Sequence, residues 1–195
     1  MKTVLYGGAF DPVHCGHVFV GHEALRLMAP CILVVIPTGL PNPDFGKRLS
    51  GSDADRMAML RLAFAGVPNV VISDIELDRG PQPSYFIDTI ERLHPSLGDE
   101  KPALLLGEDQ LLSFTEWHRY RDILDHVELW FVPRAGGHRA GGPRVAATAL
   151  FDINPFDGLS SSLIRDRLQQ GLPVDGLVPP SVAAYIAEHA LYKSQ

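Results

Sequence analysis

The sequence predicts an α/β protein built on one doubly wound parallel sheet with helices on both faces. Short β-branched and leucine-rich runs alternate with segments of helical periodicity along the 195 residues, the pattern that strand–helix–strand crossovers produce. Two of those runs, Cys31–Ile36 and Pro102–Leu106, are almost continuously apolar, as expected of strands covered on both sides. Glycines follow the apolar runs directly at Gly7-Gly8 and Gly107. Ligands of such sheets bind beyond the carboxyl ends of the strands, so these glycine turns and the region after Val132 mark one crevice.

The elements follow in order. Met1–Leu5 reads as a buried strand. From Cys15 to Met28, Val18, Gly21, Leu25 and Met28 recur on one helical face, and Pro30 stops the helix. Cys31–Ile36 is the second strand. Residues 37–51 form a loop rich in Pro, Gly and Asn that carries Lys47 and Arg48. Ser52 to Asp55 resembles a capping box and opens a helix with Met59, Leu60, Ala63 and Phe64 on its apolar face, ending near Gly66. Asn69–Ile72 is the third strand. Ser84 is expected to cap a helix that turns Ile87, Ile90 and Phe86 or Leu93 inward. Pro102–Leu106 is the fourth strand, residues 111–124 hold one or two short helices, and Val127–Val132 is the fifth strand. A basic glycine loop at 136–144 precedes a last short strand within 145–153. A helix covers Ser160–Gln170, and Pro179-Pro180 opens the final helix to about Leu191.

Composition narrows the function. The chain is 46% hydrophobic and 21% charged, with a formal net charge of −6. That acidity speaks against an extended nucleic-acid surface, which needs a basic footprint, and leaves room for a local pocket holding one nucleotide. Cys15 and Cys31 match no zinc or disulfide spacing, so a reduced, cytoplasmic protein is expected. The N-terminal stretch lacks the long apolar core and cleavage site of a signal peptide. No apolar run approaches the ~18 residues that a membrane span requires.

Chemistry concentrates in Gly8-Ala9-Phe10-Asp11-Pro12-Val13-His14-Cys15-Gly16-His17. Glycines let backbone N–H groups approach a ligand, and a helix N-terminus favours anions. His14 and His17 are three apart and project the same way from a first helical turn. Their imidazolium or N–H donors are placed to stabilise charge on a phosphate whose anhydride bond is breaking. Gly16 keeps a side chain out of the way. Cys15 reads as a filler and His22 as a packing or solvent-facing residue. A second anion site lies at Leu159-Ser160-Ser161-Ser162-Leu163-Ile164-Arg165, where hydroxyls, first-turn N–H groups and an arginine coincide.

The pattern Gly-Gly-x-Phe-Asp-Pro-x-His-x-Gly-His resembles the first signature of the nucleotidyltransferase superfamily that includes the pyridine mononucleotide adenylyltransferases. The second stretch resembles that superfamily's Ile-Ser-Ser-Thr-x-Ile-Arg motif, with Leu159 for Ile and Ser162 for Thr. The resemblance runs nearly the full length and is strongest toward the bacterial nicotinate mononucleotide adenylyltransferases. It implies a single Rossmann-like nucleotidyltransferase domain over 1–195, whose helical part from about 158 completes an ATP site. It implies His14, His17 and Arg165 as catalytic residues. Gly8, Ala9, Phe10, Gly16, His17, Gly107, Asp109, Ser161, Ser162 and Arg165 would hold ATP. Lys47, Tyr85, Thr89, Trp117 and Arg134 would hold the mononucleotide, with Trp117 stacked on the pyridine ring. Mg²⁺ would accompany ATP, with no protein metal ligands. The implied partners are ATP and a pyridine mononucleotide, without nucleic acid or membrane; a homo-oligomer is compatible with these features.

Two segments depart from the family pattern. The loop that usually carries Pro-Pro-His-Lys reads Leu40-Pro41-Asn42-Pro43-Asp44-Phe45-Gly46-Lys47-Arg48, leaving Lys47 or Arg48 to supply a cation. The usual Pro-Ser-Tyr-Thr reads Pro83-Ser84-Tyr85-Phe86, which replaces a hydroxyl that in the family helps hold the nicotinate carboxylate. Thr89 offers a hydroxyl one turn later. The alternatives are a nicotinamide mononucleotide enzyme and a transferase with another acceptor, such as phosphopantetheine or a sugar or polyol phosphate. A non-catalytic nucleotide sensor is a third. His-x-Gly-His is also similar to the ATP motif of class I aminoacyl-tRNA synthetases, but the chain is too short and acidic for tRNA and lacks their lysine-rich loop.

Overall fold

A computed structural model describes residues 1–42, 48–80, 82–97, 100–133, 145–151 and 154–193. Its sheet comprises β1 (Lys2–Gly8), β2 (Cys31–Pro37), β3 (Val70–Ile72), β4 (Ala103–Gly107), β5 (Glu128–Val132) and β6 (Thr148–Ala149). All neighbouring strands are parallel, in the order β3-β2-β1-β4-β5-β6. The helices are α1 (Cys15–Leu27), α2 (Asp53–Ala63), α3 (Phe86–Leu97), α4 (Glu108–Leu112), α5 (Tyr120–His126), α6 (Ser161–Gln169) and α7 (Pro180–Glu188). The open α/β architecture is thus the one the alternating runs predict.

The chain winds outward from β1 to β3, then returns to the other side of β1 to place β4. Loops leaving the carboxyl ends of β1 and β4 therefore diverge, and a crevice opens between them. Alternate strand residues face two cores. Val4, Tyr6, Leu33, Val35 and Leu105 pack with α1, α2, α6 and α7 residues such as Ala24, Leu60, Ile164 and Val182. Leu5, Ile36, Leu104 and Leu106 pack with Ile87, Ile90, Leu111 and Ile123 of α3, α4 and α5. Burial on both faces explains why these strands read as continuous apolar runs.

Several local expectations shift. The buried stripe of α1 is Gly16, Val20, Gly21 and Ala24, whereas Val18, Leu25 and Met28 sit at its flanks. Gly21 sets this rotation, because a Cβ there would stand 2.8 Å from Phe64 and 3.1 Å from Leu33. Ser52 does cap α2, accepting from the Asp55 N–H at 3.1 Å. Ser84 does not cap α3: that helix starts at Phe86, and the buried Ser84 hydroxyl has no hydrogen-bond partner among the described residues. The last strand is only two residues long. The glycine loop expected at 136–144 lies outside the described residues.

Candidate active site

β1 ends in Gly7-Gly8, and the chain turns through Ala9 to Val13 before α1 begins. Phe10 holds the turn from beneath. It is 1% exposed, sits at a left-handed φ of 47°, and packs edge-on against Tyr6 and His17. Gly8 permits this, since a Cβ there would meet the Phe10 ring at 3.0 Å.

The two histidines cap α1 reciprocally. The His17 N–H donates to His14 Nδ1 at 3.3 Å, and the His14 N–H donates to His17 Nδ1 at 3.2 Å. Their rings stack with centroids 3.6 Å apart. A neutral ring whose Nδ1 accepts carries its proton on Nε2, so each imidazole retains one N–H donor. Burial pulls the His14 pKa down to about 4. Burial, and then the neighbouring His14, hold His17 well below the ordinary histidine range. The ligand-free pair is thus neutral at pH 7, supplying N–H dipoles and not imidazolium charge. Gly16 also protects this geometry: a Cβ there would press on the His14 ring at 3.1 Å and on Phe156 at 3.2 Å.

A phosphate site must hide carbonyl oxygens, which repel anions. In this turn outside donors occupy them. The Gly8 carbonyl accepts from the Thr38 N–H at 2.8 Å. The Ala9 carbonyl accepts from Arg56 Nη1 at 2.9 Å. The Asp11 carbonyl accepts from Arg165 Nη1 at 2.6 Å, and the Pro12 carbonyl from the Ser161 hydroxyl at 2.9 Å. Ser161 and Arg165 belong to α6, which Ser160 caps by accepting from the Leu163 N–H. Arg165 also donates to the Ser162 hydroxyl at 3.1 Å. The second sequence signature is therefore bonded directly onto the first, and both present first-turn backbone to one cavity.

That cavity measures about 700 Å³, within the range of small-ligand sites. Gly8, Ala9, Phe10, His14, Gly16, His17, Gly107, Asp109, Ser161, Ser162 and Arg165 line it, as do Tyr85 and Trp117. Thr89 does not. It is fully buried, donating to Glu76 Oε1 at 2.7 Å and accepting from Arg79 Nη2 at 3.1 Å; one helical turn carries it behind the wall, and Glu76 lines the cavity instead. Burial raises the Glu76 pKa. Lys47 and Arg134 lie outside the described residues, whereas Arg48 lines the cavity. At the end nearest α3 the walls are aromatic. Phe86 lies edge-on to Trp117 at 6.1 Å, and Tyr85 stacks on His118 at 4.3 Å.

Comparison with known proteins agrees with this arrangement. A family model described as cytidylyltransferase-like matches residues 5–167. A Dehalococcoides mccartyi protein named probable nicotinate-nucleotide adenylyltransferase is 37% identical, over 100% of this chain and 98% of its own. The chain belongs to the cytidylyltransferase-like family, among its nicotinate-nucleotide adenylyltransferases. A Bordetella pertussis relative with the same name is also 37% identical, over 97% of this chain and 96% of its own. The fold is shared with Plasmodium falciparum nicotinic acid mononucleotide adenylyltransferase, solved in complex with NaAD, at a TM-score of 0.77 and 19% identity over 98% of each chain.

For an enzyme of this family the donor set bears on metal use. Among the described residues no three His, Cys, Asp or Glu side chains converge to hold a metal ion. The residues that sequence reasoning missed are those behind the turn. Arg56 is wholly buried on α2, and the carboxylate of Asp11 is 1% exposed. Arg56 carried no sequence signal, because nothing marks a charged residue as inward-facing on an otherwise amphipathic helix.

Proposed function

We propose that this protein joins ATP and nicotinate mononucleotide to give nicotinate adenine dinucleotide and pyrophosphate. The observation that carries the reading is the bonded clamp, in which Ser161 and Arg165 tie α6 to the turn that presents His14 and His17. In this reading a nucleoside triphosphate lies between these two donor sets. The 5′-phosphate oxygen of the mononucleotide forms a bond to the α-phosphorus of ATP. The bond from that phosphorus to the bridging oxygen breaks, and its electron pair leaves on pyrophosphate. The attacking phosphate is already ionised near pH 7, since its second pKa is about 6, so no general base is required. Catalysis then rests on alignment and on donors aimed at developing charge.

In this reading the Nε2–H groups of His14 and His17 and the Arg165 guanidinium face the phosphates. Gly8, Ala9, Phe10 and Gly16 give the phosphates close access, the first-turn backbone of Ser161 and Ser162 adds N–H donors, and Gly107 with Asp109 addresses the ATP ribose. Trp117 offers an electron-rich face to a cationic pyridinium. Tyr85, Lys47 and Arg134 complete the acceptor end, with Thr89 holding Glu76 from behind. Mg²⁺ is the proposed cation on the triphosphate, where it would offset phosphate charge. Phe86 favours a second reading for the acceptor: its ring lines the cavity and supplies no donor for a carboxylate, so nicotinamide mononucleotide or another phosphate acceptor is the competitor.

The test follows the α-phosphate. With ATP labelled there, Mg²⁺ and nicotinate mononucleotide, the label is expected in a dinucleotide, with unlabelled pyrophosphate released. Nucleotide binding with no bond formation to any acceptor would make the protein a sensor and overturn the reading.

A further inference from the structure

The Asp11 carboxylate is nearly excluded from water, and among the described residues it forms no ion pair. Three donors from two distant segments converge on it instead. The Ser50 N–H donates at 2.6 Å, the Gly51 N–H at 2.8 Å and the Tyr192 hydroxyl at 2.7 Å. The same residue's carbonyl accepts from Arg165. Packing around this point leaves no slack: a Cβ on Gly51 would stand 2.7 Å from the Tyr192 oxygen and 2.8 Å from Asp11 Oδ1. Tyr192 holds a left-handed φ of 62°, a conformation that a bulky residue keeps only where its surroundings fix it. Arg48 and Leu49, immediately before the two donating amides, line the cavity.

We propose that Asp11 and Tyr192 form a latch that positions the Arg48–Gly51 segment against the acceptor end of the cavity. Both are positioning residues. The carboxylate gathers two amides of the loop that precedes α2, and the tyrosine hydroxyl from the segment after α7 supplies the third donor, which fixes the rotamer of that carboxylate. Because the Asp11 backbone also seats Arg165, one residue registers the acceptor loop against the phosphate clamp. Burial and the Asp11 contact raise the Tyr192 pKa, so the hydroxyl stays protonated and a donor at pH 7. The acceptor part of this inference rests on the proposed transferase reaction.

Two measurements on the full chain test it. In the ligand-free protein, Tyr192→Phe is expected to speed amide hydrogen exchange at Ser50 and Gly51 without doing so in β1 or β4. In steady-state turnover the same variant is expected to raise KM for the mononucleotide about three- to tenfold, the range one lost hydrogen bond covers, with KM for ATP within about twofold. Asp11→Asn, which replaces one acceptor oxygen by a donor, is expected to exceed it, and the double variant to match Asp11→Asn alone, since Tyr192 acts through that carboxylate. Unchanged exchange at Ser50 and Gly51, or a lowered Tm with both KM values unaltered, would overturn the latch, as would effects that simply multiply in the double variant. A wild-type protein inactive on every pyridine mononucleotide would sink the transferase reading instead, and the exchange experiment would still decide the latch.

Discussion

The two ends of the cavity are built differently. At the phosphate end, hydrogen bonds join residues 149 and 154 positions apart, and carbonyl after carbonyl of the turn is matched with a donor. At the acceptor end, the walls are rings: Tyr85 on His118, and Phe86 edge-on to Trp117. Directional bonds fix atoms to within tenths of an ångström, which in-line transfer demands. Aromatic faces tolerate a range of flat ligands and discriminate by one or two polar groups. In the proposed reaction, the phosphate end would set which bond breaks, and the acceptor end which molecule receives the adenylyl group.

The sharpest way to break this division is His17→Ala. Loss of a donor aimed at developing charge is expected to lower kcat roughly 10²- to 10⁴-fold, with the circular dichroism of a folded protein. A folded variant of near-normal turnover would refute a catalytic phosphate end. Trp117→Ala acts at the other end. It should raise KM for the mononucleotide about tenfold, in line with the cost of removing a stacking face, while kcat falls less; an equal loss in both would mean that the ring serves alignment and not affinity.

Thr89→Val sharpens the boundary of the site. Leaving buried Glu76 and Arg79 without the Thr89 hydroxyl should cost about 1–3 kcal/mol of stability, read from urea unfolding, with kcat/KM within a fewfold of wild type. A large kinetic loss at full stability would return Thr89 to the substrate site. The smallest expected signal is a flat line. With its folded pKa near 4, His14 should show constant NMR chemical shifts from pH 7.5 to 5.5, and a bound triphosphate should raise that pKa by placing negative charge beside the ring. The same depression has a sign for stability. The folded state takes up this proton less readily than the unfolded one, so the contribution is present above pH 6.5 and fades as pH falls toward 4.

What was legible in the sequence follows the same division. His14, Gly16, His17, Ser161 and Arg165 could be read because each signature is local, and short spacing on one helical turn fixes the geometry. The wound sheet was legible for a related reason, since burial on both faces writes itself into every strand. Asp11, Arg56 and Tyr192 were not legible as a unit, because their partners lie 40, 47 and 181 residues away. Thr89 misled through locality: one-turn spacing suggested the cavity, whereas its hydroxyl is committed to Glu76. The rotation of α1 escaped notice because it depends on the ring of Phe64 across the interface with α2.

One measurement bears most directly on the claim that the phosphate end fixes the reaction and the acceptor end the substrate. Purified protein is given ATP and Mg²⁺ with nicotinate mononucleotide, nicotinamide mononucleotide, phosphopantetheine and a sugar phosphate in turn, and pyrophosphate release is followed. Pyrophosphate with highest kcat/KM for nicotinate mononucleotide is the predicted result. Activity confined to a non-pyridine acceptor, or none with any, would contradict it.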